Sequence, residues 1–393
     1  MKHLNTYITE YIIKKKLEKP IDSEYKYYPE TKEELLNNIK ECLDSKNYDL
    51  NCIDTSKITD MSSLFYDTKL KDAIEKINIS KWDVSNVTNM RYMFCDCINF
   101  TGKGLENWDV SNVKTMDYMF LRCNSFRGEG IENWNVSNVK TMEGMFAYCN
   151  KFEGKVLENW NVSNVKNMSN MFDGCKCFNC DLSGWNVSNV ENMSQMFDSC
   201  EKFDCDLSNW DISKVKYTDY MFYDCTSFTG KGLENWNMSN VEVSSFMFHS
   251  CINFDCDLSK WDVSNIIYMD SMFEHCYKFV GKGLENWNTS KSLIMDKLFN
   301  SCIKLNCDLS KWDVSNVIVF EQMFFLCEKF NSDLSNWNVS NANNMTSMFY
   351  GCSKFKGKGL EKWNVNNKAK ISNMFVGCNL IKKQPDWYIK LNK

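Results

Sequence analysis

Proline is almost absent from this chain. The 393 residues include only Pro20, Pro29 and Pro385, so the whole middle of the protein lacks it. A stretch that excludes the one residue unable to donate a backbone hydrogen bond is expected to use that bond at every level of a ladder. Histidine is equally scarce, with His3, His249 and His275 far apart in sequence. General acid–base catalysis has little to stand on, and the two internal histidines read as surface residues. No window approaches ~18 consecutive apolar residues, so no membrane insertion is expected. A basic excess is also missing. Lys and Arg number 46 against 51 Asp and Glu, a net charge of −5 with both signs interspersed. That balance excludes the electrostatic footprint of a nucleic-acid binder and of a polybasic membrane-surface segment. Gly102-Lys103-Gly104 does not match a phosphate-binding loop. The opening residues, MKHLNTYITEYIIKKKLEKP, have no apolar run of the signal-peptide kind. A cytoplasmic or virion-associated location is therefore expected over export by a signal peptide.

What the chain does have is repetition. Apolar residues make up 44% and aromatics 14%, enough for a long continuous core. Trp82, Trp108, Trp134, Trp160, Trp185, Trp210, Trp236, Trp261, Trp287, Trp312, Trp337 and Trp363 form a series. Fifteen residues after each stands a Cys: Cys97, Cys123, Cys149, Cys175, Cys200, Cys225, Cys251, Cys276, Cys302, Cys327, Cys352 and Cys378. The step from Cys to the next Trp is ten or eleven residues, which confines length variation to one loop. Such a period marks a repeat array that grows by adding units.

In the unit from Trp108, Trp108 and Val110 alternate with Asn107 and Asp109, a period of two that predicts a half-buried strand over 105–110. Ser111 then reads as a helix N-cap. Val113, Met116, Phe120 and Cys123 follow at steps of three and four, which predicts one face of a short helix. The fold class expected is an α/β repeat solenoid, with one short parallel strand and one short helix per ~25-residue unit. Trp108, Cys123, Trp210, Cys225, Trp312 and Cys327 are representative of its structural core. The connecting loop has two forms. The longer carries F-x-G-x-G-[LI]-E-N-W, with glycines for positive φ, and the shorter F-[ND]-C-D-L-S-x-W.

Four regions are expected. Residues 1–50 form a helical N-terminal cap in two pieces, with a capping-box pattern at Thr31 and Glu34 and an apolar face of Leu35, Leu36, Ile39 and Leu43. Residues 51–81 hold a degenerate repeat beginning at Ile53. Residues 82–378 are the twelve-repeat array. Residues 379–393, with Trp387, close the other end. The unit from Trp287 is the poorest match, with Thr289 and Ser292 in place of two valines.

Twenty Cys suggest a disulfide framework at first sight. Helices in such a stack would lie ~8–10 Å apart, beyond disulfide reach. The Cys column therefore reads as small core residues, and free thiols fit a reducing compartment. A second set, Cys180, Cys205, Cys256 and Cys307, is replaced once by Ser332, which points to size and not bonding. Cys175, Cys177 and Cys180 lack the paired hooks of a zinc site, so no metal or cofactor is expected.

The motif W-[DN]-V-S-N-V-x-x-M-x-x-M-F-x-x-C-x-x-F resembles the BspA-like repeat, also known as the "Mycoplasma protein of unknown function" repeat, related to leucine-rich repeats. The resemblance covers Ile53 to about Ile381. It implies a leucine-rich-repeat-like solenoid used as a binding surface, often as a surface adhesin.

The face nominated for partner contact is the outward strand face beside each Trp: Asp83, Asp109, Asn135, Asn161, Asn186, Asp211, Asn237, Asp262, Asn288, Asp313 and Asn338. The alternative for this column is a self-satisfied ladder bonded to turn N–H groups or neighbouring rungs. The expected function is a non-catalytic protein–protein interaction scaffold. The rival readings are a structural component of a phage or virus particle, and an adhesin exported without a signal peptide.

Overall fold

The computed structural model describes residues 25–66 and 68–392. The first of the two helical pieces expected before residue 50 lies outside the described residues. The second is helix α1, Lys32–Asp44. Thr31 caps it, accepting from the Glu34 N–H at 3.2 Å, while the Glu34 carboxylate accepts from the Glu30 N–H at 2.7 Å. The return bond of the capping box thus lands one residue before the cap. Leu35, Ile39 and Cys42 are the buried face of α1, with Leu36 and Leu43 at its margin.

Beyond α1 the expected strand-and-helix unit does not form, and the α/β solenoid is overturned. Between Ile53 and Cys378 the helices among the described residues are α2 (Thr68–Ala73) and single 3-10 turns at Lys155–Leu157, Leu284–Asn286 and Leu360–Lys362. Pairing between rungs reduces to isolated parallel bridges, chiefly a column from Asp60 through Asn89, Thr115 and Thr141 to Lys370. That column sits where a helix was expected to begin. The segment 105–110, expected to be a strand, is a turn at residues 106–107 followed by irregular backbone.

Each rung is instead a succession of tight turns. In the unit of Trp108, the N–H groups of Leu105, Trp108, Val113, Met119, Cys123 and Phe126 each donate to the carbonyl three residues back, at 2.9–3.2 Å. A turn closed between i and i+3 brings those two side chains to the same side, much as a helix does. Trp108, Val110, Val113, Met116, Met119, Phe120, Cys123 and Phe126 are all buried. Apolar spacing of three and four is therefore satisfied by turns as well as by a helix.

The other donors decide between them. Met116, Tyr118, Phe120 and Arg122 donate not within the rung but to Thr141, Glu143, Met145 and Ala147 of the next, at 2.7–3.2 Å. Alternate N–H groups thus close turns and join rungs. This alternation needs a left-handed residue at two places per rung, such as Tyr118 (φ 55°) and Arg122 (φ 60°). Each left-handed residue costs about 1–2 kcal/mol. Four inter-rung bonds at about 0.5–1.5 kcal/mol each offset that. Val, Ile, Thr and Pro, which tolerate positive φ worst, occur at none of these positions, while Gly144, Gly174, Gly351 and Gly377 occupy four of them.

Columns of identical side chains fill the core. Trp108 and Trp134 stack with centroids 6.4 Å apart and planes within 1°. Each indole N–H donates to a carbonyl of the preceding rung: Trp108 to Ile79 at 3.4 Å, Trp210 to Leu182 at 3.0 Å, Trp312 to Leu284 at 2.8 Å. Trp387 continues the column. It stacks on Trp363 at 6.1 Å and donates to the Leu360 carbonyl at 2.8 Å, from the first turn of helix α3, Asp386–Leu391. The series has one more member than its spacing revealed. The poorly matching unit also has a physical account: Thr289 donates to the Asp313 carbonyl at 2.9 Å and Ser292 to that of Ile266 at 3.0 Å, so neither buried hydroxyl is orphaned.

The two loop forms fit one another. Gly102 and Gly104 have φ near +100°, as their loop requires. Where a longer loop follows a shorter one, a Cβ on Gly232 would lie 2.4 Å from the Ser208 nitrogen, so only glycine permits the approach.

Candidate interaction face

The Cys column does more than fill space. Each thiol donates to the carbonyl of a Phe in the preceding rung: Cys123 to Phe94 at 3.1 Å, Cys225 to Phe197 at 2.9 Å, Cys327 to Phe299 at 2.9 Å. The same carbonyl takes a backbone N–H from within its rung, as Phe197 does from Cys200 at 3.0 Å, so both lone pairs are used. Burial pushes the thiol of Cys97 up to about 12 and those of Cys200 and Cys225 well above their ordinary value, which holds them as S–H donors. The wide helix spacing invoked against disulfides falls with the helices. What engages these thiols is a carbonyl, and all twenty Cys are free. In the second set Cys205 also donates to a backbone carbonyl, that of Cys180. Cys175 faces the Phe146 carbonyl and Cys177 the Lys202 ammonium, so C-x-C-x-x-C does not converge.

The Asn/Asp column is exposed in every rung but lies in irregular backbone just before a turn, not in a strand. In Asp83, Asp109, Asn135, Asn161, Asn186, Asp211, Asn237, Asp262, Asn288, Asp313 and Asn338, Oδ1 accepts from the N–H of the Ser two residues on, at 2.9–3.2 Å. The Ser is therefore held by a side chain and does not cap a helix. The side chains of Ser111, Ser213 and Ser264, and then their backbone N–H groups, pull Asp109, Asp211 and Asp262 below the usual carboxylate range. Beside this column, Asn112, Asn138 and Asn164 donate to the Ser carbonyl of the preceding rung at 2.7–2.8 Å. The turn side of the column is thus engaged in structure.

A second exposed surface lies on the outward side of the inter-rung ladder. Inward residues there repeat; outward ones change from rung to rung. Tyr92 stacks on Tyr118 at 4.9 Å, and the Tyr118 hydroxyl donates to Glu143. Tyr118 and Tyr148 lie over Gly144 and Gly174, where a Cβ would meet their rings at 2.3 and 2.6 Å. Tyr220 stacks on Phe246 at 4.6 Å. Carboxylates run alongside. Burial, then the facing Asp198, pushes Asp173 up to about 7. Burial, with Asp224 adding to it, pushes Asp198 up to about 6. Asp296 also rises to about 6, through burial and Asp270.

The same surface brings together two histidines that the sequence keeps apart. His249 Nε2 lies 3.6 Å from one Glu274 oxygen and His275 Nε2 lies 3.8 Å from the other. His249 and Glu274 hold the same place in adjacent rungs, thirteen residues after Trp236 and Trp261, and His275 follows at the next place, a register legible in the sequence. What the register lacked was the knowledge that these positions face outward side by side.

Four overlapping stretches, 33–158, 122–233, 206–283 and 279–387, match the sequence model of the family described as "Mycoplasma protein of unknown function, DUF285". The chain belongs to this family. The match runs from α1 to the first two residues of α3, so the family pattern takes in α1 and the turn-built rungs. No curated protein matches the chain. Among solved structures, the functional domain of InlJ from Listeria monocytogenes, described as including a cysteine ladder, is similar at 12% identity with a TM-score of 0.17. That match covers 79% of this chain and 61% of the other, so this DUF285 protein spans about three-fifths of the length of its structural neighbour. No helix among the described residues is long and apolar enough to cross a membrane.

Proposed function

We propose that this DUF285 chain is a protein-interaction scaffold that holds a basic segment of a partner along the outward side of its inter-rung ladder. The observation that carries the reading is the row of half-buried carboxylates at Asp173, Asp198 and Asp224, flanked by Tyr148, Tyr220 and Tyr223. Lys and Arg suit such a row twice over. They neutralise carboxylates that burial has made reluctant to ionise, and they lie favourably over aromatic faces. Arg122 over Tyr148, 6.0 Å from the ring centroid, is an internal instance. The buried thiol donors fit a reducing compartment.

The Asn/Asp column is the competing surface, favoured by its exposure in eleven rungs. Fluorescence anisotropy with labelled Lys/Arg-rich and Asp/Glu-rich peptides separates the two. The expected result is binding of the basic peptides only, weakening with salt and about tenfold weaker in a variant carrying Asp173→Asn and Asp198→Asn. Unchanged binding in that variant, with loss on charge reversal at Asp211, Asp262 and Asp313, would move the site to the Asn/Asp column. Failure of every basic peptide to bind sinks the reading.

A further inference from the structure

We propose that His249, Glu274 and His275 form a binding site for a divalent transition-metal ion of the zinc class. Two of the three histidines in the chain meet here across adjacent rungs, with one carboxylate between them. The ligand atoms of the three side chains all lie within 4.8 Å of one another. Zinc bonds to imidazole and carboxylate are ~2.0–2.2 Å long, which in a tetrahedral site places ligand atoms ~3.3–3.6 Å apart. His249 Nε2 lies 3.6 Å from Glu274 Oε2 and His275 Nε2 lies 3.8 Å from Oε1, so each imidazole needs little closure toward its own carboxylate oxygen, and the whole set closes from within 4.8 Å.

The surroundings orient the rings. His249 lies flat on Tyr223 at 4.5 Å, and its Nδ1 is 3.0 Å from the Ser250 hydroxyl. With the proton on Nδ1 shared with Ser250, the lone pair of Nε2 faces Glu274. His275 approaches His249 edge-on at 5.4 Å, with its own Nδ1 3.5 Å from the Tyr277 hydroxyl. Metal-binding imidazoles are held by a hydrogen-bond partner on the far nitrogen, and here hydroxyls stand in that place. Glu274 is 6% exposed, so its carboxylate is set between the rings and largely withdrawn from water. Lys297 opposes a cation at His249, and the Glu274 carboxylate between the rings counters it.

Two nitrogens and one oxygen select zinc, cobalt, nickel or copper over magnesium and calcium, which take oxygen ligands. The site leaves a fourth position for water or for a side chain of another molecule, on the side where His275 is 36% exposed. The proposal stands on these three residues and does not depend on the scaffold reading.

The test uses the full chain, freed of metal by chelator under reducing conditions. ZnCl2 is titrated by calorimetry and CoCl2 by visible absorption. One ion per chain is expected, with tetrahedral cobalt bands and no thiolate-to-cobalt charge transfer. His275→Gln is expected to weaken binding about 100-fold or more, and Ser250→Ala about tenfold. Circular dichroism without metal checks that each variant folds; if His249→Gln does not, His275→Gln, which lies at the surface, carries the test. Three results overturn the site: no binding at about 1 mM metal, full affinity in His275→Gln, or a spectrum dominated by thiolate.

Discussion

Replacing one ladder thiol distinguishes a hydrogen-bond donor from a space filler. Cys225 is fully buried and donates to the Phe197 carbonyl at 2.9 Å. In Cys225→Ala the chain loses the buried sulfur, about 1–1.5 kcal/mol with its cavity, and the S–H···O bond, about 0.5–1 kcal/mol. The carbonyl keeps its bond from the Cys200 N–H, so no buried acceptor is orphaned. The expected loss is about 2 kcal/mol. In Cys225→Ser the hydroxyl reaches less far but is the stronger donor, and the expected loss is about 1 kcal/mol. Were Cys225 only a small apolar residue, the order would reverse, because a buried hydroxyl without a partner costs about 1–3 kcal/mol while alanine is merely short. Urea unfolding followed by Trp fluorescence measures both variants, with Trp210 and Trp236 in the affected rungs. Because rungs interact mainly with their neighbours, amide exchange in residues 210–250 gives the local value independently. Serine equal to or worse than alanine by both measures refutes the donor role.

Gly174 (φ 69°) stands at a left-handed position under the Tyr148 ring. Gly174→Val is expected to destabilise by about 2 kcal/mol or more through backbone strain and overpacking, and a urea midpoint equal to wild type would contradict the turn geometry. Trp387→Phe keeps an aromatic ring but removes the donor to Leu360. Faster amide exchange confined to α3 and the rung of Trp363 is expected, and uniform exchange across the chain would deny Trp387 its place in the column. Asp173 gives a pH test. Its folded pKa, about 7, lies above the ordinary 3.8, so the folded state holds the proton more tightly. Its contribution to stability is full below about pH 4 and is lost as pH rises through 7. Asp173→Asn should therefore match wild type near pH 4 and exceed it by about 1 kcal/mol at pH 8, after discounting for screening by water; parallel stability curves would refute the shift.

The repeat and its register could be read from Trp and Cys alone, because each occupies a column whose neighbours are copies of itself. Which residues are buried was also legible, since the spacing of Val113, Met116, Phe120 and Cys123 marks one side of the chain whatever the backbone does. The local conformation was not. Helix and turn succession share the three-to-four spacing, and the difference lies in backbone donors that apolar patterning does not report. One signal did bear on it. Positions ten and fourteen after each Trp exclude β-branched residues and admit glycine, a mark of positive φ. The hydrogen-bonding role of the Cys was hidden for a related reason: a thiol selected for size and one selected as a donor look alike in a single sequence. The His249, Glu274 and His275 cluster was out of reach until the outward positions of adjacent rungs were known to lie side by side.

The arrangement also explains why sameness and variety separate in this molecule. An inward side chain stacks on its own copies, so a change there disturbs two neighbours at once. Trp, Phe and Cys columns therefore resist variation, and each carries a bond to the rung before it. An outward side chain on the ladder answers to solvent and to two flanking residues, which leaves it free to differ. Tyr118, Asp173, Tyr220 and His249 occupy positions of that kind, and no two neighbouring rungs present the same set. A rigid spacer would gain nothing from such differences and would be served as well by a uniform polar surface. Rung-specific aromatic, acidic and imidazole chemistry on a regular backbone suits the partner recognition proposed above. The acidic stretch near Asp173 and Asp198 and the imidazole pair near Glu274 are then separate stations along one face, which the peptide and metal titrations interrogate independently.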